Sequence, residues 1–139
     1  MNRTKSKVAA IALYAGGRCS RIDLGDNALK AMYYYLDCRA VEVVQLAPDL
    51  HMWLDEEGLL ADEPVVNEIA TVIAHLHGFN HQRYVGNAIF TGGADEEGNT
   101  LGLSEHVGTQ VEKWIRTAHE ALSNEHHDGC WAEGGCCGE

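Results

Sequence analysis

The chain has 139 residues, enough for one domain with its own core, and no apolar stretch approaches the roughly 18 residues that a membrane helix needs. Its 21 acidic residues against 10 Lys plus Arg give a formal net charge of −11, and Arg83 is the sole Lys or Arg between residues 40 and 112. Such a surface should repel phosphates. We therefore expect no direct nucleic-acid binding, no membrane association, and a protein or small-molecule partner.

The N-terminal segment shares features with a secretory signal, because basic residues at positions 3, 5 and 7 precede the apolar run 8–15. That run is only eight residues long, at the lower limit for a signal peptide. We interpret residues 1–7 as a basic leader and 8–15 as a first core strand, with a weak signal peptide over residues 1–20 as the alternative. The first interpretation predicts a cytoplasmic protein.

The first third of the chain predicts two strands and a helix. The strands 8–15 and 18–24 should pair through a two-residue turn at Gly16-Gly17, since both central positions of such turns favour positive φ. Asp26 is the predicted cap of the helix, which should end near Asp37.

The middle of the chain predicts two further strands, 40–46 and 50–54, followed by a second helix. Pro64 suits the first position of that helix, with Glu63 as its cap and Gly78 as its stop. Residues at helical spacing give the helix its predicted apolar stripe: Val65, Ile69, Val72, Ile73 and Leu76.

A strand within 83–93 and a last helix capped by Ser104 complete the predicted elements. Residues 124–139 are rich in Gly, Cys and His without a core-forming period, so we expect a flexible tail after a single domain over 8–123. Strands with interspersed helices in so short a chain predict an α+β fold, an antiparallel or mixed sheet covered on one face by about three helices. The apolar face of the last helix is predicted to be Val107, Val111, Trp114, Ile115, Ala118 and Leu122.

The tetrapeptide Asp-Glu-Glu-Gly occurs twice, at 55–58 and 95–98, each time after a predicted strand. Asp favours the first position of a type I turn and Gly the last, which indicates one turn used twice. The alternative is that the carboxylates meet around Ca²⁺ or Mg²⁺, although neither copy has the ligand pattern of a calcium loop. The acidic residues of both copies also form the candidate partner-binding face: Asp55, Glu56, Glu57, Asp95, Glu96 and Glu97.

A histidine cluster at the end of the second helix is a candidate zinc site. His75, His77 and His81 would meet on one ion if the loop after Gly78 folds back. Residues two apart on a helix point away from each other, so capping and surface roles are the competing interpretation. The tail offers further ligands for metal or redox chemistry, although not at zinc-finger spacing: His126, His127, Cys130, Cys136 and Cys137.

The motifs of common enzymes are absent from the sequence, which contains no G-x-S-x-G, no Walker loop and no H-E-x-x-H. We therefore favour a protein that is not an enzyme. No cofactor is expected unless the histidines bind zinc.

The segment VEVVQLAPDLHMWLDEEGLLADEPVVNEIATVIA, followed by YVGNAIFTGGADEEGNTLGLSE, resembles a family of small domains from phages and actinobacterial mobile regions that is known only as a domain of unknown function. The shared features lie at Glu42, 55–58, Asn67, Gly86-Asn87 and 95–100, and the resemblance covers roughly residues 25–106. It implies a bacterial or phage cytoplasmic setting and adds no reaction.

Together these features predict a small acidic, non-catalytic accessory protein of phage or mobile-element type, which binds a host protein or small ligand through the acidic face. Two alternatives belong to other classes: a metal-dependent enzyme using the histidine cluster, and an acidic DNA mimic that inhibits a nucleic-acid-binding host protein. The mimic requires carboxylates along a stripe, whereas turns and helix starts account for many of them here.

Overall fold

The fold is an antiparallel sheet of five strands with three α-helices, as seen in a computed structural model that describes residues 8–60, 62–80 and 82–126. The order of elements is the predicted one, and the α+β class is confirmed. No helix in these ranges is long and apolar enough to cross a membrane. The elements are β1 (Ala9–Leu13), β2 (Cys19–Asp23), α1 (Ala28–Leu36), β3 (Val41–Ala47), β4 (Leu50–Asp55), a 3₁₀ helix (Gly58–Leu60), α2 (Glu68–Leu76), β5 (Ala88–Thr91) and α3 (Glu105–His126).

The strands are arranged in the order β2-β1-β5-β4-β3, so β5 is inserted between two hairpins and every neighbouring pair is antiparallel. In the β4–β5 pair, Leu54 lies opposite Ala88 and His51 lies opposite Thr91. The chain therefore leaves β4 at one end of the sheet and leaves β5 at the other. The edges of the sheet are β2 and β3.

The helices cover both faces of the sheet, whereas the sequence analysis placed all three on one face. On the first face, Ile11 and Phe90 pack in one apolar cluster with residues of α2 and α3. On the second face, Ile89 packs with Met32 and Leu36 of α1. Every residue of β5 is buried, and a strand buried on both sides needs cover from both sides.

The turn between β1 and β2 is longer than predicted. Tyr14 N–H donates to Arg18 O at 2.8 Å and Gly17 N–H donates to Tyr14 O at 2.8 Å, which leaves three residues in the loop. Of the two glycines, Gly17 alone has a positive φ, of 102°. This is the three-residue hairpin whose last loop residue lies in the left-handed region.

Helices α1 and α2 begin one and four residues later than predicted, because asparagines cap them. Asn27 Oδ1 accepts from Lys30 N at 3.0 Å, which replaces the predicted Asp26 cap. Asn67 Oδ1 accepts from Ala70 N at 3.1 Å, which replaces Glu63. The residues before Asn67 are extended instead, and Val66 forms an antiparallel bridge with Val85.

Asn67 is fully buried and uses every polar group that it has. Its Nδ2 donates to Leu13 O at 3.2 Å and to Gly86 O at 2.8 Å, while its backbone N–H donates to Tyr84 O at 2.8 Å. Thr71 extends this network, since its hydroxyl donates to Asn67 O at 2.9 Å and accepts from Tyr84 N at 3.0 Å. One side chain thus ties the end of β1, the start of α2 and the 84–86 segment together.

Helix α3 is fixed to the β1–β2 hairpin by polar contacts as well as by its apolar face. Arg21 binds Glu112 through two hydrogen bonds of 2.7 and 3.0 Å, and its guanidinium lowers the pKa of the Glu112 carboxyl. His119 Nε2 lies 2.6 Å from Gly17 O. The predicted Ser104 cap is confirmed, because its Oγ accepts from Val107 N at 3.1 Å.

The Asn67 network yields a stability prediction. Asn67→Ala should lower the free energy of unfolding by about 3 kcal/mol, because two buried carbonyls and a helix N–H lose their partner. Asn67→Asp should be no better, since it keeps the cap but sets a carboxylate against Leu13 O and Gly86 O. Urea unfolding followed by circular dichroism measures both.

The matched control for this prediction is Asn80→Ala, the same substitution at an exposed position. It should change the free energy of unfolding by less than about 0.5 kcal/mol. A value for Asn67→Ala as small as that of the control would contradict the central role of Asn67.

Candidate protein-binding surface

The two Asp-Glu-Glu-Gly copies form turns that begin with the same side-chain contact. Asp55 Oδ1 accepts from Glu57 N at 2.9 Å, and Asp95 Oδ1 accepts from Glu97 N at 2.9 Å. This contact, from an Asp side chain to the backbone two residues on, is that of an Asx turn. The turn interpretation of the repeat is therefore confirmed.

The structure does not bring the two acidic turns together. Asp55 follows β4 at the end where β5 begins, and Asp95 comes after β5 at the opposite end, near Pro48. At least four residues of strand, about 13 Å, separate the two ends. The six carboxylates therefore form two surfaces rather than one acidic face, and they do not share a cation.

The second turn is closed on itself. Asp95 accepts two further hydrogen bonds from Asn99, from its N at 2.8 Å and its Nδ2 at 3.2 Å, and these bonds lower the pKa of the Asp95 carboxyl. An antiparallel bridge between Ala94 and Thr100 completes the loop. A groove of about 730 Å³ runs beside it, between this loop and the start of α1, where Asn27 is already engaged as the helix cap.

The first turn opens instead onto exposed leucines. The 3₁₀ helix Gly58–Leu60 buries none of its residues, and the side chains of Leu59 and Leu60 are 68% and 79% exposed. Val65, five residues after Leu60 in the chain, is 58% exposed. We call this the Leu59 surface: the apolar residues Leu59, Leu60 and Val65 with the acidic residues Asp55, Glu56 and Glu57.

The Leu59 surface rests on the segment that Asn67 holds. A Cβ on Gly58 would lie 2.8 Å from Val85 Cγ2, so the 3₁₀ helix packs directly on the 84–86 segment. Val65 O accepts from Gly86 N at 2.8 Å, which sets the Pro64–Val66 stretch on the other side of that segment. The 84–86 segment thereby supports both apolar parts of the surface.

A cleft of about 40 Å³ lies at the edge of the Leu59 surface, between β3 and the 82–85 segment. Buried Tyr84 lines it, and burial together with the charge of Glu42 raises the pKa of the Tyr84 hydroxyl. Arg83 lines the cleft as well, and Arg39 lies 3.5 Å from Glu57. Carboxylates outnumber cations around the cleft, so the local field is negative.

The described histidines have structural contacts. His77 ends α2, where its Nδ1 lies 2.8 Å from Ile73 O and its ring packs edge-on against Trp114 at 4.8 Å. His75 is exposed, with Nε2 3.5 Å from Gln82 O, and His81 lies outside the described residues. Within 8–60, 62–80 and 82–123 no three His, Cys, Asp or Glu side chains converge as metal ligands.

The remaining candidates for metal or redox chemistry are the residues of the tail. His126 is the last residue of α3, whereas His127, Cys130, Cys136 and Cys137 lie outside the described residues. Their role in metal or redox chemistry stays a prediction.

The apolar half of the surface differs from what the sequence predicts. With Pro64 as the start of α2, helical spacing puts Val65 in the buried stripe of that helix. The capping signal of Asn67 places Val65 outside the helix. The sequence contains one sign of this later start, because Pro64 is followed three residues later by Asn67. Both residue types favour helix starts, but only the asparagine side chain can cap the helix.

Fold and site together define a small α+β domain with an exposed apolar surface beside an acidic turn. A family model described as "Domain of unknown function (DUF3846)" matches residues 9–116. The chain belongs to this family, which confirms the resemblance found in the sequence. No curated protein and no solved structure matches the chain.

The two turns differ in the number of hydrogen bonds that their Asp side chains accept, and this difference should appear in the stability of variants. Asp95→Ala should lower the urea midpoint more than Asp55→Ala, because Asp95 accepts three hydrogen bonds within its loop. The pKa of Asp95 is lowered in the folded state, so its contribution is complete above its unfolded pKa of about 4 and is lost as the pH falls through the folded pKa. The gap between Asp95→Ala and wild type should thus shrink from pH 7 to pH 3.

Equal urea midpoints for the two variants at pH 7, or a gap for Asp95→Ala that does not depend on pH, would contradict this assignment. Glu96→Ala serves as the matched control, because it removes a carboxylate from the same turn without removing the Asx contact.

Proposed function

We propose that the protein is a non-catalytic binding module, and that its Leu59 surface takes a basic, partly apolar segment of a partner protein. If the chain acts in a phage or mobile element, as the sequence resemblance implies, that partner would be a host protein. Exposure of the two leucines of the 3₁₀ helix is the observation that carries the proposal.

Leu59 and Leu60 are largely exposed, so the folded chain gains little free energy from burying them. Complete burial of a leucine contributes about 1.5–3 kcal/mol, and neither Leu59 nor Leu60 contributes most of that to the fold. Isolated exposed leucines are ordinary, but two consecutive exposed leucines, with exposed Val65 on a second stretch packed against the same segment, are a candidate binding surface. A partner that covers Leu59, Leu60 and Val65 would recover this free energy on association.

The charge around the leucines selects the partner. Glu56 and Glu57 are exposed at the turn, Asp62 and Glu63 are exposed just before Val65, and Glu42 is exposed on β3. Lys or Arg side chains on the partner would complement these carboxylates, accelerate association and exclude acidic competitors. Binding should therefore weaken as salt is added.

The opposite end of the sheet is the weaker candidate. Its acidic turn is also flanked by apolar residues, but Leu29 and Leu101 are only 46% and 45% exposed. Its polar groups are largely engaged in the Asx turn and the α1 cap. The two turns have the same sequence, so each is a natural control for the other.

The test is a selection of random 16-residue peptides displayed on phage against the full chain, followed by affinity measurements on one selected synthetic peptide. The selected peptides should carry net positive charge and apolar residues. Glu56→Lys with Glu57→Lys should weaken binding by about tenfold or more, whereas Glu96→Lys with Glu97→Lys should change it by less than about twofold.

A second pair of variants tests the apolar residues of the Leu59 surface. Leu59→Ser with Leu60→Ser should weaken the same peptide by about tenfold or more, and Leu76→Ser, at a leucine 61% exposed on α2, should leave its affinity unchanged. A selection that enriches no peptide, or a peptide that responds to the control variants instead, would overturn the proposal.

A further inference from the structure

Strand β3 is an open edge beside the Leu59 surface. It is seven residues long and pairs with β4 on one side, and no described residue pairs with its other side. Glu42 of β3 lines the same cleft as Leu59, so the edge and the surface are continuous. An unpaired edge offers backbone donors and acceptors to an incoming strand.

The register shows which backbone groups are available. Glu56 N–H donates to Ala40 O at 2.9 Å, and in an antiparallel ladder the hydrogen-bonded pairs alternate. Glu42 and Val44 therefore direct their N–H and C=O groups towards β4. Val41, Val43 and Gln45 direct theirs outward.

This edge has few of the features that block strand addition. It carries no lysine and no proline within Val41–Ala47, and its irregularity in register comes only at Gln45/Ala47. Val43 is 39% exposed, so the outer rim also presents apolar surface. Native edge strands are usually protected by charges, prolines or bulges along their length.

We propose that the partner segment binds in an extended conformation as a sixth strand beside β3, with basic side chains against Glu42, Glu56 and Glu57. This inference rests on the proposed function and specifies its binding mode. Backbone hydrogen bonds to Val41, Val43 and Gln45 would supply sequence-independent affinity, and the Leu59 surface would supply selectivity for apolar residues in the segment.

A basic segment fits this edge better than a second copy of the chain. Each copy carries a formal net charge of −11, and edge-to-edge pairing would set the acidic rim of one copy near that of the other. Repulsion between like-charged surfaces opposes that association. A cationic strand meets the opposite charge at the Glu42 end of β3, where Glu56 and Glu57 also lie.

The deciding variant is Val43→Pro. Proline removes an N–H that points away from β4, and edge strands accept proline at such positions, so the β3–β4 ladder should survive. The selected peptide from the displayed library should bind Val43→Pro about tenfold or more weakly, because one backbone donor is lost and the ring obstructs the incoming strand. The control Val43→Thr keeps the N–H and the branched side chain, and should bind within about twofold of wild type.

Amide hydrogen exchange gives a second readout that does not depend on the fold of the proline variant. In the wild-type complex, the amides of Val41, Val43 and Gln45 should become protected at least tenfold more than in the free protein. Sedimentation of the free protein at high concentration should show a monomer. Dimers that pair through β3 would overturn the proposal in favour of self-association.

These experiments distinguish the proposed function from the proposed mode of binding. If Leu59→Ser with Leu60→Ser abolishes binding while Val43→Pro does not and the β3 amides stay unprotected, then strand addition is wrong and the proposed function stands. If neither variant weakens the peptide, both are wrong.

Discussion

A single buried amide holds one end of this molecule together. Asn67 closes the start of α2, reaches across to β1 through Leu13 O and fixes the 84–86 segment through Gly86 O. A buried amide whose hydrogen bonds are all made favours one arrangement of the elements around it, because every alternative leaves polar groups unpaired. The packing of the core on both faces of the sheet stabilises the fold, while Asn67 determines how its connections meet.

The surface proposed for binding depends on that arrangement. The 3₁₀ helix with Leu59 rests on Val85, and Val65 stands on the far side of the same segment. Because Asn67 binds Tyr84 and Gly86 on either side of Val85, it fixes the support of both apolar elements. The binding surface is thus built on a segment that the hydrogen bonds of Asn67 and Thr71 hold in place.

Antiparallel topology explains why two identical turns end in different roles. β5 lies next to β4 and runs against it, so a turn after each strand falls at opposite ends of the sheet. At one end the chain continues into exposed leucines and an open edge strand. At the other it closes through Asn99 and the Ala94–Thr100 bridge. The same four residues therefore share the Asp side-chain contact, but the chain leaves them in different ways and in different environments.

The local features of the fold could be predicted from sequence. Helical spacing found the apolar face of α3, and Ser104 was the correct cap. The pairing of β5 between the two hairpins could not be predicted, because short apolar strands do not specify their neighbours. Without knowledge of this pairing, the burial of Ile89 under α1 could not be predicted. The distribution of helices over both faces of the sheet follows from that burial.

The candidate site was predicted in its charged half and missed in its apolar half. Asp55, Glu56 and Glu57 were found as a cluster, but their grouping with Asp95 required a distance that sequence does not contain. Whether Val65 is buried depends on whether α2 begins at Pro64 or after Asn67. Asn67 prevails because its amide also satisfies two carbonyls far away in sequence, which no local pattern reveals.

The most direct test of the account is a map of backbone amide chemical shifts of the ¹⁵N-labelled full chain during titration with the selected basic peptide. The account predicts shifts confined to residues 41–45, 55–60, 62–66 and 83–86, with residues 95–102 unchanged. Shifts concentrated at 95–102 and 25–29 would place binding in the groove at the opposite end of the sheet, and would contradict the central claim.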